Sequence, residues 1–122
     1  MADAVFDTCI LIDYLLGIEA ARETIARYEA PAISIVTWME TLVGAADEEE
    51  AATIGQFLDR FERIGVTDAL AEQAVALRRR YRIRLPDAII WATAKAARCP
   101  FLTRDLKDFP AGEADIVAPY EL

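Results

Sequence analysis

The sequence predicts a three-layer α/β/α fold with a short, mostly parallel central sheet, on three observations. Brief apolar runs of strand length recur along the chain, and longer segments with helical spacing separate them. No Gly/Ser linker, low-complexity tract or internal repeat divides the 122 residues, so residues 1–122 read as a single domain large enough to bury its own core.

Ala4-Val5-Phe6 reads as the first strand, and Cys9 to Leu16 as a short helix ended by Gly17. A charged amphipathic helix is predicted from Glu19 to Tyr28. Pro31 then precedes a second strand, Ala32 to Val36, rich in β-branched residues. Thr37 to Ala46 reads as helical, as does Glu48 to Arg63, where Ile54, Phe57, Leu58 and Phe61 recur at helical spacing. The run Asp47 to Glu50 marks an exposed start for that helix, its acids lying near the positive end of the dipole. Gly65-Val66 gives a brief third strand, Asp68 to Arg80 a helix, and Pro86 to Arg98 a helix that is apolar almost all round. Phe101 to Thr103 and Asp115 to Val117 complete the sheet. In a parallel sheet every strand's carboxyl end lies on one edge, and ligands bind in the crevice there.

Composition removes several chemistries. The chain has no histidine, no asparagine and one serine, Ser34, which excludes Ser-His-Asp and Cys-His nucleophilic sites, a histidine general base and His-ligated zinc. Cys9 and Cys99 are far apart in apolar segments and read as buried free thiols in a reducing cytoplasm. No basic n-region with an apolar stretch opens the chain, and no apolar run approaches the ~20 residues that span a bilayer, so a cytoplasmic protein with no membrane partner is expected. The net charge of −8 argues against a polyanionic partner. That charge is uneven, however: residues 1–61 carry twelve acids and three bases, residues 62–122 nine acids and ten bases.

Four acids fall just after strands or at the start of a helix. Asp7 follows the first strand, Glu40 lies a helical turn past the second, Asp105 comes two residues after the fourth, and Asp87 opens the most apolar helix. Converged carboxylates repel one another, and a divalent cation is their natural occupant. Each has a structural alternative. Thr37-x-x-Glu40 fits a capping box, which the spacing alone favours over a metal role. Asp87 after Pro86 suits a helix N-terminus, and Asp105 and Asp108 suit a turn before Pro110. Asp7 is the hardest to explain structurally, since a carboxylate between an apolar strand and an apolar helix is costly unless compensated. Asp13 interrupts an apolar helix one or two turns from Asp7, where it could support that acid, though a solvated helix face is the favoured reading.

The segments Val5-Phe6-Asp7-Thr8-Cys9-Ile10-Leu11-Ile12-Asp13, Thr37-x-x-Glu40, Leu85-Pro86-Asp87-Ala88-Ile89-Ile90-Trp91-Ala92 and Leu102-Thr103-Arg104-Asp105-Leu106-Lys107-Asp108-Phe109, in this order, resemble the PIN domain, specifically VapC-type toxin ribonucleases. The resemblance implies an Mg²⁺- or Mn²⁺-dependent endoribonuclease, the toxin of a type II toxin–antitoxin pair, with Asp7, Glu40, Asp87 and Asp105 as catalytic and metal-holding acids. It implies supporting roles for Thr8 and Thr103, with Asp108 a further candidate. It also implies a homodimer and a small cognate antitoxin. A divalent ion can activate water and offset charge on phosphate, so such chemistry needs no histidine.

The bases would meet the RNA substrate. Arg104 and Lys107 flank Asp105, and Arg82 and Arg84 precede Asp87; the cluster from Arg78 to Arg84 fits a helix C-terminus equally well. Trp38 and Trp91 read as core or interface residues rather than base-stacking platforms. Two other readings remain. A receiver-like phosphoryl-accepting signalling domain would use Lys107 but needs an acceptor aspartate after the third strand, which Thr67-Asp68 only loosely supplies. A PIN fold kept as a binding module without catalysis is the other.

Overall fold

The computed structural model describes all 122 residues, Met1–Leu122. The elements run β1 (Ala4–Phe6), α1 (Thr8–Leu15), α2 (Glu19–Ala26), β2 (Pro31–Ser34), α3 (Ile35–Val43), α4 (Glu48–Leu58), β3 (Glu62–Ile64), α5 (Asp68–Tyr81), α6 (Leu85–Ala97), β4 (Phe101–Leu102) and β5 (Ile116–Val117), with a 3₁₀ turn at Leu106–Asp108. The five strands form one sheet in the order β3-β2-β1-β4-β5. Every pairing is parallel, so the sheet is wholly rather than mostly so.

Strand alternation sorts side chains to the two faces. Val5, Ala32 and Phe101 join a core under α5 and α6 with Leu70, Leu77, Ile90 and Trp91. Ala4, Phe6, Ile33 and Leu102 join a second core with Ile10 and Leu11 of α1, Ile25 of α2, and Ile54 and Phe57 of α4. These are the three expected layers. Trp91 is completely buried, and its Nε1–H donates to Asp115 Oδ2 at 2.9 Å, which makes it a core residue.

Four strands differ from the sequence reading: the fourth ends one residue earlier, at Leu102, the fifth starts one later, at Ile116, and the second and third differ more. The second strand stops at Ser34, whose hydroxyl accepts from the Val36 N–H at 3.0 Å and caps α3. Ile35 and Val36 therefore enter the helix: the capping bond outweighs their β preference. The third strand is Glu62–Ile64 rather than Gly65-Val66, because α4 ends at Leu58 and the chain turns earlier. The acidic start of α4 is as expected, with Asp47 accepting from the Glu50 N–H at 2.8 Å. Both cysteines are free thiols, but half-buried rather than buried as the apolar segments around them suggest. No helix is long and apolar enough to cross a membrane.

The strand order places the site. The chain steps from β1 to β2 on one side and later returns to pair β4 on β1's other side. That reversal is a topological switch point, where a crevice opens beyond the strand ends. Asp7 follows β1 at this crevice and Thr103 follows β4.

Candidate active site

Asp7 caps α1. Its Oδ1 accepts from the Thr8 N–H at 2.8 Å, and its Oδ2 accepts from the Thr103 hydroxyl at 2.7 Å, a bond that spans the switch point. The residue is only 6% exposed, and no lysine or arginine pairs with it. Burial drives its pKa from the usual 3.8 up to about 6; the Asp87 charge adds to this, while the hydrogen bonds from Thr103 and Thr8 oppose it. The sequence raises the question of what compensates this carboxylate, and the fold supplies no cation for it.

Thr103 is fully buried and links two acids. Its oxygen donates to Asp7 and accepts from the Asp105 backbone N–H at 3.1 Å. Asp105 sits between β4 and the 3₁₀ turn, and its Oδ1 lies 3.5 Å from Arg104 Nη1.

Glu40 is held from α1. Thr8 Oγ1 donates to Glu40 Oε1 at 2.7 Å and lies 3.1 Å from Thr37 Oγ1. The capping-box reading of Thr37-x-x-Glu40 is therefore corrected: Ser34 is the cap, Thr37 is buried inside α3, and Glu40 points toward the first strand's end.

Asp87 lies in the first turn of α6. A helix N-terminus alone would favour its ionised form. Its pKa is instead raised, first by burial; Arg84 opposes this, while Asp108, Glu40 and Asp105 add to it. Asp87 is in turn the charge that adds to the raised pKa of Asp7. Asp108 is exposed on the 3₁₀ turn and, with Asp87, lines a cavity of about 300 Å³ whose walls include Tyr81, Arg82, Arg84 and Lys107 and whose apolar lining includes Ile83 and Phe109. Three of the four expected RNA-binding bases border this cavity, next to Asp87.

Arg104, the fourth, does not. Its Nε donates to Asp13 Oδ2 at 2.7 Å and its Nη2 to Asp13 Oδ1 at 3.2 Å. Asp13 is 2% exposed, so the solvated position expected for it is corrected to a buried ion pair. The Tyr120 hydroxyl adds a third bond to Asp13 at 2.6 Å. Helical spacing carries a signal for Asp13, since it lies three residues after buried Ile10 on the same face of α1. Nothing in the sequence points to Tyr120.

The donor set fits a hard divalent cation. Every acid in the crevice presents oxygen, as Mg²⁺ and Mn²⁺ prefer. No three of these groups close into direct ligating geometry around one point, so an ion would be held partly through water, as Mg²⁺ commonly is.

The sheet and crevice define an α/β protein whose acidic switch-point site is suited to a divalent cation. The chain belongs to the PIN-domain family, whose model matches residues 4–111. It is 34% identical over 115 residues to Ribonuclease VapC10 of Mycobacterium tuberculosis, covering 88% of this chain and 86% of that protein. Its fold is also that of a chain in a toxin–antitoxin complex from Klebsiella pneumoniae, with a TM-score of 0.92, 42% identity and coverage of 98% and 100% of the two chains. A DNA-bound VapBC from Salmonella typhimurium shares the fold at a TM-score of 0.81 and 23% identity, covering 96% of this chain and 98% of that one.

The receiver reading does not survive. β3 is an edge strand, separated from β1 by β2, and Asp68 is the first residue of α5 rather than an acceptor in the crevice.

Proposed function

We propose that this protein is a VapC-type ribonuclease, the toxin of a toxin–antitoxin pair, which uses Mg²⁺ or Mn²⁺ to hydrolyse RNA. The observation that carries the reading is Asp7: a buried, uncompensated carboxylate at the switch point, within the field of Asp87 in a PIN-family chain. Asp7, Asp87 and Asp105 would hold the ion, directly or through water. When bound, the ion would supply activation of water and offset charge on the phosphate.

The geometry supports roles for the remaining groups. Thr103 fixes the Asp7 carboxylate and the Asp105 backbone together. Thr8 fixes one oxygen of Glu40, leaving the other to orient the attacking water. In-line attack forms a bond from water oxygen to phosphorus and breaks the bond to the ribose 3′-oxygen. The products are a 5′-phosphate and a 3′-hydroxyl. Arg82, Arg84 and Lys107 would grip phosphates beside Asp87, with Asp108 at the rim of the same cavity.

The test is incubation of end-labelled single-stranded RNA with the purified protein in Mg²⁺ or Mn²⁺, with the product ends then identified. Cleavage leaving 5′-phosphates is expected; a 2′,3′-cyclic phosphate would contradict water attack. Lys107→Gln is expected to raise KM for RNA with kcat little changed. Its salt dependence should flatten by about 0.7 in the log–log slope, the share of a single lysine–phosphate pair on a single strand.

The similarity to toxin–antitoxin complexes supports a cognate antitoxin as the protein partner. Its landing place would be the apolar groove of about 430 Å³ lined by Ile12, Leu15 and Leu16 at the end of α1 and by Ile54 of α4. Leu16 is 72% exposed, against 37% for Ile12 and Leu15, and so offers the most apolar surface to a partner. Leu16→Asp is expected to abolish copurification with the antitoxin while sparing RNA cleavage, and sedimentation of the variant alone reports whether the same face also joins two copies.

A further inference from the structure

We infer that Arg104 is a positioning residue for Asp105, anchored by the buried carboxylate of Asp13, and does not bind the RNA backbone. This rests on the reading of Asp105 as a group that holds the divalent ion.

The guanidinium is committed on one edge. Nε and Nη2 form a side-on pair with the two oxygens of Asp13, at 2.7 and 3.2 Å. That edge is one an arginine offers to a phosphate, and here it is filled. Asp13 is 2% exposed, and Arg104 is the one cation paired with it. Breaking such a pair strands a buried charge, so capture of Arg104 by a passing phosphate would be strongly opposed. The Tyr120 hydroxyl donates to Oδ2 as well and holds the carboxylate in place.

What remains free of the guanidinium faces Asp105. Nη1 lies 3.5 Å from Asp105 Oδ1, and the Arg104 backbone N–H lies 3.5 Å from Cys9 Sγ. Main chain and side chain are thus both tied to α1. The Asp105 side chain is 34% exposed, and the side chain paired with it is that of Arg104. Without Arg104 that carboxylate would sample several rotamers, and the ion would have to order it on binding. Arg104 therefore transmits the fixed position of Asp13, on the first helix, to an acid at the crevice from the far end of the chain. Partners that orient metal-holding groups in this way are worth about 10–100-fold in metal affinity.

The test compares wild type, Arg104→Lys, Arg104→Met and Asp13→Asn as full-length proteins. Mg²⁺ affinity is measured by calorimetry without RNA, and the KM for RNA is measured over a range of salt concentrations. Arg104→Lys and Arg104→Met are expected to weaken Mg²⁺ binding about 10–100-fold, and Asp13→Asn to do the same although residue 13 reaches no substrate. The salt slope of KM should match wild type in all of them. Arg104→Lys keeps the charge and loses only the fork, so it remains informative if Asp13→Asn does not fold. Wild-type Mg²⁺ affinity in the Arg104 variants, together with a salt slope reduced by about 0.7 in Arg104→Met, would overturn the assignment and make Arg104 a phosphate ligand. A wild-type protein that neither binds Mg²⁺ nor cuts RNA would instead overturn the proposed function, and this inference with it.

Discussion

Asp7→Asn is expected to remove at least about 10³-fold of RNA cleavage while raising the melting temperature of the metal-free protein. The loss follows if the carboxylate helps hold an ion that supplies several kcal/mol of charge stabilisation at the phosphate. The gain follows from the cost of ionising Asp7 where it sits. Its pKa in the folded chain is about 6 against 3.8, so the folded state binds this proton more tightly than the unfolded one. Stability contributed by the proton is present at low pH and is lost as pH rises from about 4 through 6. Above that range the ionised group costs about 3 kcal/mol, and an uncharged side chain recovers part of it. Asparagine can still accept from the Thr8 N–H through its oxygen, while its amide donates to Thr103, whose proton can turn toward Cys9 Sγ 3.6 Å away. A gain of about 1–2 kcal/mol, a few degrees, is expected at pH 7.5, vanishing near pH 4. An inactive variant less stable than wild type at pH 7.5 would mean that Asp7 is compensated by something other than an ion.

The second large effect is stabilisation of wild type by Mg²⁺. An ion that binds only the folded chain adds RT ln(1 + [Mg²⁺]/Kd), about 2.7 kcal/mol at a hundredfold excess over Kd. The ion and the proton compete for Asp7, so the shift should be large at pH 7.5 and should shrink as pH falls below about 6. Asp7→Asn and Asp87→Asn should lose most of it. Differential scanning calorimetry at fixed ionic strength, with Na⁺ replacing Mg²⁺ in the reference, separates this from general screening of the −8 net charge.

The positions of the acids are more legible in the sequence than their partners. Asp7, Asp87 and Asp105 stand near the ends of short apolar runs or at a helix start, and a parallel sheet brings such points to one edge whatever the exact strand limits. Shifts of a few residues in the limits of β2 and β3 therefore leave the crevice where it is. Glu40 is harder, because Thr37-x-x-Glu40 is locally a good capping box; only the tertiary placement of Thr8 beside Glu40 shows otherwise. Ser34, the sole serine, carries the competing signal, since a serine before a helical stretch is itself a cap. The burial of Asp13 is hinted at by its three-residue offset from Ile10, but its partners Arg104 and Tyr120 lie 91 and 107 residues away and no local pattern joins them. The same distance explains why Arg104 looks free in sequence and is engaged in the fold.

The absence of histidine is consistent with this site. Asp7, buried at the switch point with no cation of its own and with Asp87, Glu40 and Asp105 in more open positions, would leave its charge to be balanced by a bound ion. The uneven net charge follows too: the excess acid lies in the half that holds Asp7 and Glu40, while Arg82, Arg84 and Lys107 border the cavity beside Asp87.

The most direct test is cleavage of end-labelled single-stranded RNA by the wild-type chain in EDTA, followed by add-back of Mg²⁺ or Mn²⁺, with Asp7→Asn and Asp87→Asn alongside. No cleavage in EDTA, restoration by either ion in wild type, and none in the two variants is the predicted result. Cleavage that persists in EDTA, or that survives both substitutions, would contradict a divalent-cation site built on these carboxylates.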